Sequence, residues 1–126
     1  LGRISDSALP TYYHFCDLFC LPSIYRSEMS GVVQLEAMAM GKPVVSSLIK
    51  RSGVNLVNID GETGIVVEAK NSKAIANACT KLLDDSKLYN KMCRNSVKTV
   101  KAKYSKDKVI KQLVSIYKDL LSQKNV

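Results

Sequence analysis

Apolar residues along this chain recur with two different periods. Three short unbroken runs, Leu18 to Leu21, Val44–Val45 and Ile65 to Val67, read as strands covered on both faces, the kind found in parallel sheets. Elsewhere apolar positions return every three or four residues. Ser5 and Asp6 can cap a helix through about Cys16, with Leu9, Tyr12, Tyr13 and Phe15 supplying its apolar contacts and Pro10 confined to its first turn. Gly31 to Met40 is a run of mostly good helix formers; Gly41 suits a left-handed C-cap, and Pro43 cannot continue the helix. Asn71 or Ser72 caps a helix through Leu83, along which Ile75, Ala78, Cys79, Leu82 and Leu83 keep helical spacing. Two more helices follow, about Ser86 to Lys103 and Ser105 to Ser122.

The remaining segments complete the pattern. Leu1 to Ile4 reads as the tail of a strand, which suggests a piece of something longer; Lys50 to Asn55 is irregular, Val57 to Ile59 a short strand, and Asp60 to Gly64 a turn. Strands alternating with helices predict an α/β fold, a Rossmann-like parallel sheet flanked by helices, with extra helices at the C-terminal end. With 126 residues the chain can bury one modest core, so it is read as one domain, residues 1–126. It has no apolar run of about 18 residues and no signal-peptide pattern, and is expected neither to span a membrane nor to be exported.

Cysteines and charge narrow the picture. Cys16, Cys20, Cys79 and Cys93 lack C-x-x-C spacing and are expected to be reduced, mostly buried thiols of a cytosolic protein. A metal pair of Cys16 and Cys20 with His14 is the alternative, but it lacks further ligands. Residues 1–86 carry eight basic and nine acidic side chains, net −1, and residues 87–126 carry eleven basic and two acidic, net +9, so the whole excess belongs to the last two helices. Lys87, Lys91, Arg94, Lys98 and Lys101 are spaced to form one helical stripe. Such a face suits anionic lipid headgroups, at roughly 1 kcal/mol per basic residue near the surface; a solvated face is the plainer alternative. No aromatic platform or known reading motif accompanies the stripe, and nucleic acid is not an expected partner.

The candidate chemistry sits between Glu28 and Ser47, E-M-S-G-V-V-Q-L-E-A-M-A-M-G-K-P-V-V-S-S. Glu28 precedes a helix start and Glu36 lies about a turn and a half into that helix, roughly 7 to 8 Å along its axis from Gly31. Between them the free N–H groups of Ser30, Gly31, Val32 and Val33, with the helix dipole, form a site for a phosphate or diphosphate. Glycine at position 31 permits close approach of such a ligand. Carboxylates accept from sugar hydroxyls, so a diphosphate with a sugar on each side would satisfy the whole arrangement. Taken singly, each feature also has an ordinary reading: a solvated glutamate, a helix cap, a capping Ser-Glu pair.

The same stretch resembles the E-x7-E signature of the retaining glycosyltransferases of family 4, which have the two-domain GT-B fold. The L-F-C-L-P-S before it and the E-A-M-A-x-G-K-P-V-V after it match that pattern nearly position for position, and the resemblance runs from Gly2 to about Leu121. It implies a C-terminal, donor-binding domain whose N-terminal, acceptor-binding partner domain is absent from this sequence. By that resemblance Glu36 would hold the ribose of a nucleotide sugar and Glu28 would meet and orient the donor sugar, as the catalytic residue. Backbone N–H groups from Met29 through Ser30 and Gly31 to Val32 would hold the sugar and its diphosphate, and Arg3 and Ile4 lie where the family contacts the base. The nucleotide sugar is then a substrate; no cofactor and no obligatory metal are implied, and no D-x-D motif occurs.

The resemblance is greatest to bacterial enzymes of surface-polysaccharide and O-antigen synthesis. It implies transfer of a hexose or N-acetylhexosamine, from a UDP-sugar first and GDP-mannose next, to a lipid-linked acceptor. The setting would be cytoplasmic, at the inner membrane face, which the basic stripe fits. The sequence departs from the family in two places, of which the first is Ser30, standing where Phe is common, which opens or polarises the sugar pocket. The basic residues that the family sets against the diphosphate would lie upstream of Leu1. The rival readings are a non-catalytic nucleotide-sugar-binding module and a basic membrane-surface adaptor.

Overall fold

In the computed structural model, which describes residues 2–123, three short strands lie side by side and parallel, in chain order. They are β1 (Phe19–Leu21), β2 (Val44–Leu48) and β3 (Gly64–Glu68), with Phe19 opposite Val44 and Val45 opposite Ile65. The helices are α1 (Leu9–Phe15), α2 (Val32–Ala39), α3 (Val54–Val57), α4 (Ser72–Asp84), α5 (Ser86–Thr99) and α6 (Lys106–Gln123). A π-helical turn, Val100–Tyr104, joins the last two.

Alternation along β2 separates two cores, one on each face of the sheet. Val45 meets Ala78, Leu82 and Met92 of α4 and α5, while Val44 meets Met38 of α2 and Val57 of α3, with Tyr104 packed against the same group. Central β2 is therefore buried through Val44, Val45, Ser46 and Ser47. One buried side chain satisfies part of its polar surroundings: Asn58 Nδ2 donates to the Val44 carbonyl (3.2 Å) and Ser46 Oγ (2.9 Å), and Asn58 Oδ1 accepts from Thr63 Oγ1 (3.0 Å), while Ser47 Oγ has no partner among the described residues. α5 is tied to the chain just before β1 and just before β3. Tyr89 donates to the Asp17 carbonyl (2.7 Å), and Ser96 donates to that of Thr63 (3.2 Å).

Several expectations need correction. The strand foreseen at Val57 to Ile59 is instead the end of α3 and the start of a turn, because Ser52 Oγ accepts from Val54 N (3.2 Å) and starts a helical turn within the stretch foreseen as irregular, while Asn58 turns inward to the sheet. Gly2 to Ile4 form no strand: Gly2 takes a left-handed φ of 67°, which breaks an extended run, and Leu1 lies outside the described residues. α1 starts later than Ser5, since Ser5 Oγ pairs with Ser7 Oγ (3.1 Å) and caps nothing. Phe15 is 80% exposed, so it supplies no core contact, and Leu83 is exposed as well. The four cysteines are free, as foreseen, but only partly buried. α2, its end at left-handed Gly41, the Asn71 cap on Ala74 N (2.9 Å) and the exposed Lys87 to Lys101 stripe lie where the sequence placed them.

Candidate functional site

β1 ends at Leu21, and the chain then crosses the C-terminal edge of the sheet as the loop Pro22 to Ser30 before entering α2. In parallel α/β sheets ligands bind at this edge. Gly31 makes the entry possible. Its φ of 59° and ψ of 53° are left-handed, and a Cβ there would stand 2.7 Å from Gln34 Nε2 and 2.8 Å from Leu21 Cδ2. No side chain caps α2, and the N–H groups of Val32 and Val33 have no backbone partner among the described residues. The positive end of the helix thus opens on the loop.

Glu28 already makes use of that end. Its Oε1 accepts from Gly31 N (3.2 Å), with Ser23 Oγ at 3.5 Å from Oε2. A carboxylate is an anion of the kind that the positive end of a helix accepts. Pro22, Ser23, Ile24, Tyr25, Ser27 and Glu28 line an open hollow of about 320 Å³ beside it. The loop is fastened from behind: Gly53 N donates to the Met29 carbonyl (2.6 Å), and Ser52 Oγ reaches the Glu28 carbonyl. A Cβ on Gly53 would lie 2.8 Å from that Met29 oxygen, so this latch requires glycine.

Glu36, half-buried on α2, accepts from the Tyr13 hydroxyl at 2.8 Å. Burial, and then the Glu36 carboxylate, push the Tyr13 phenol up from 10.0 to about 12, so it remains a donor across the physiological range. Gln34, fully buried among apolar neighbours, supports the arrangement from within. Its Nε2 donates to the Val54 carbonyl (3.3 Å) and touches that of Ser30 (3.5 Å), while Oε1 has no partner among the described residues. Gln34, Ser52, Gly53 and Tyr13 were not picked as site residues from the sequence. A glutamine inside the apolar run V-V-Q-L-E-A-M-A was the available signal.

The structure brings Glu28, Met29, Ser30, Gly31, Val32 and Glu36 onto one loop and helix start. Arg3 and Ile4 precede α1, and no hydrogen bond joins them to these residues. Burial raises the pKa of the Cys16, Cys20 and Cys93 thiols, which favours their protonated form. No group of three His, Cys, Asp or Glu able to hold a metal occurs among the described residues. A larger groove of about 460 Å³ between β3, α4 and α5 is lined largely by apolar packing residues such as Ile65, Val67, Ala78 and Met92.

A parallel sheet covered by helices, with a glycine-led helix start at its C-terminal edge, is a Rossmann-like domain, and the solved structures it resembles have the GT-B fold. The chain belongs to the glycosyl transferases group 1 family, whose profile matches residues 1–99. Among curated relatives it is 37% identical over 119 residues to the alpha-D-kanosaminyltransferase of Streptomyces kanamyceticus, covering 94% of this chain and 30% of that protein. It is 32% identical over 123 residues to the capsular polysaccharide biosynthesis glycosyltransferase CapM of Staphylococcus aureus, covering 98% of this chain and 31% of that protein. Among solved structures it resembles sucrose-phosphate synthase from Thermosynechococcus elongatus, with a TM-score of 0.85 and 29% identity over 98% of this chain and 30% of that one. The C-terminal domain of a group 1 family glycosyl transferase (LpcC) from Francisella tularensis gives a TM-score of 0.73 and 34% identity, covering 84% of this chain and 53% of that one.

Proposed function

We propose that these 126 residues are the C-terminal, donor-binding part of a retaining glycosyltransferase, whose acceptor side belongs to an N-terminal domain outside this sequence. The observation that carries the reading is the pair of carboxylates about the start of α2, Glu28 on the Gly31 N–H and Glu36 farther along the same helix. The donor diphosphate takes the N–H groups from Met29 to Val32, displacing Glu28 from Gly31 and freeing it to orient the donor sugar. Glu36 accepts from the ribose hydroxyls. As the bond from the anomeric carbon to the diphosphate breaks, a bond to the acceptor hydroxyl forms on the same face and the acceptor proton leaves with the nucleoside diphosphate. Charge growing on that leaving group meets preorganised N–H dipoles. On this reading the reaction has no obligatory metal.

The donor is a UDP-linked hexose or N-acetylhexosamine, with GDP-mannose the next candidate, and Arg3 and Ile4 are assigned to the base by family resemblance alone. The acceptor is a lipid-linked saccharide of surface-polysaccharide or O-antigen synthesis; likeness to the capsular relative supports this class. The exposed stripe Lys87, Lys91, Arg94, Lys98 and Lys101 supports peripheral contact of the cytoplasmic protein with an anionic inner-membrane face. The test is transfer by the intact protein, with the anomeric configuration of the product followed by NMR. Glu28→Gln should lower kcat by about 10²- to 10³-fold, and a chelator should leave the rate unchanged. Unimpaired transfer by Glu28→Gln, or an inverted product, would overturn the assignment.

A further inference from the structure

Tyr13 lies outside the paired-carboxylate motif, yet its hydroxyl reaches Glu36 Oε2 at 2.8 Å across 23 residues of sequence. The ring is held on its other sides. It meets Phe19 edge-on, centroids 5.8 Å apart, and α1, which carries it, is tied to the loop after α2 by Lys42 Nζ donating to the His14 carbonyl (2.8 Å). The hydroxyl is therefore presented from a fixed helix. No other hydrogen bond to the Glu36 carboxylate occurs among the described residues, which leaves Oε1 free to accept from a ligand. A carboxylate with neither oxygen engaged turns about its terminal bond, and a pair of adjacent hydroxyls then has no preset partner.

We propose that Tyr13 is a positioning residue for the ribose of the donor: by engaging Glu36 Oε2 it aims Oε1 at the sugar diol. The inference rests on the reading of Glu36 given under Proposed function. Tyr13 touches no substrate atom, and its effect passes entirely through Glu36. A residue that merely packs α1 against α2 would weaken every ligand alike; one that acts through Glu36 weakens only ligands that present ribose hydroxyls.

That difference is measurable in the intact protein. Wild type, Tyr13→Phe and Glu36→Gln are titrated with UDP, GDP and ADP, and the tightest of the three is then compared with its dideoxy analogue, which lacks both ribose hydroxyls. Tyr13→Phe keeps the ring and its contact with Phe19. The expected result is about tenfold weaker binding of the nucleoside diphosphate to Tyr13→Phe, with dideoxy affinity the same as in wild type and kcat at saturating donor unchanged. Equal losses for the two ligands, or Tyr13→Phe binding as tightly as wild type, would overturn the role of Tyr13 and leave the donor reading intact. Failure of wild type to bind any of the three would overturn the donor reading and this inference with it.

Discussion

Glu28 and Gly31 show how few atoms define this site. Gly31, whose N–H donates to Glu28 Oε1, adopts a left-handed φ of 59°, a conformation that costs an L-residue about 1 to 2 kcal/mol before any clash. Gly31→Ala also drives its Cβ into Gln34 and Leu21, so the variant should lose about 2 kcal/mol or more of stability, read by denaturant unfolding. Tyr13 carries a prediction of its own. Its folded pKa of about 12 exceeds the ordinary 10.0, so its contribution to stability is complete below pH 10 and disappears as pH rises toward 12. An ultraviolet titration should find the Tyr13 phenol ionising late and show that delay shortened, though not abolished, in Glu36→Gln, because burial is its larger cause.

Among the elements, α2 and α6 contrast most. α2 was legible because its limits are local chemistry: glycine at each end, proline just beyond, and two glutamates at a fixed interval. α3 was not, since V-N-L-V reads equally as strand or helix; the Ser52 hydroxyl and the inward turn of Asn58 decide it, and neither shows in a pattern of apolar residues. The partnership of Tyr13 with Glu36 was hidden for a similar reason, being a contact between two helices separated by a strand. α6 was predicted correctly as a helix from its spacing, yet it buries none of its residues. Leu113, Ile116, Tyr117 and Leu120 remain about half exposed. In the 126-residue chain, Leu113→Ser should therefore change stability by less than about 0.5 kcal/mol, whereas Leu82→Ala, fully buried under β2, should cost about 2 to 5 kcal/mol in the same unfolding experiment.

At the scale of the whole molecule, charge and ligand site occupy different parts. The positive excess belongs to residues 87–126, while the helix start with its two carboxylates belongs to a first part that is nearly neutral. Replacing Lys91, Arg94 and Lys98 with Gln should accordingly leave nucleotide affinity unchanged and weaken sedimentation with anionic vesicles. The chain spans 30% of the length of the kanosaminyltransferase it resembles. Donor binding is the part of transfer assigned to these residues, and the isolated chain is expected to bind donor weakly and not to turn over. The most direct test of that assignment is a calorimetric titration of the intact protein with UDP, GDP and ADP, alongside Glu36→Ala. The account predicts that one nucleoside diphosphate binds selectively and that Glu36→Ala weakens it at least tenfold, about 1.4 kcal/mol or more. Binding that Glu36→Ala leaves untouched, or no binding by a protein shown to be folded, would contradict it.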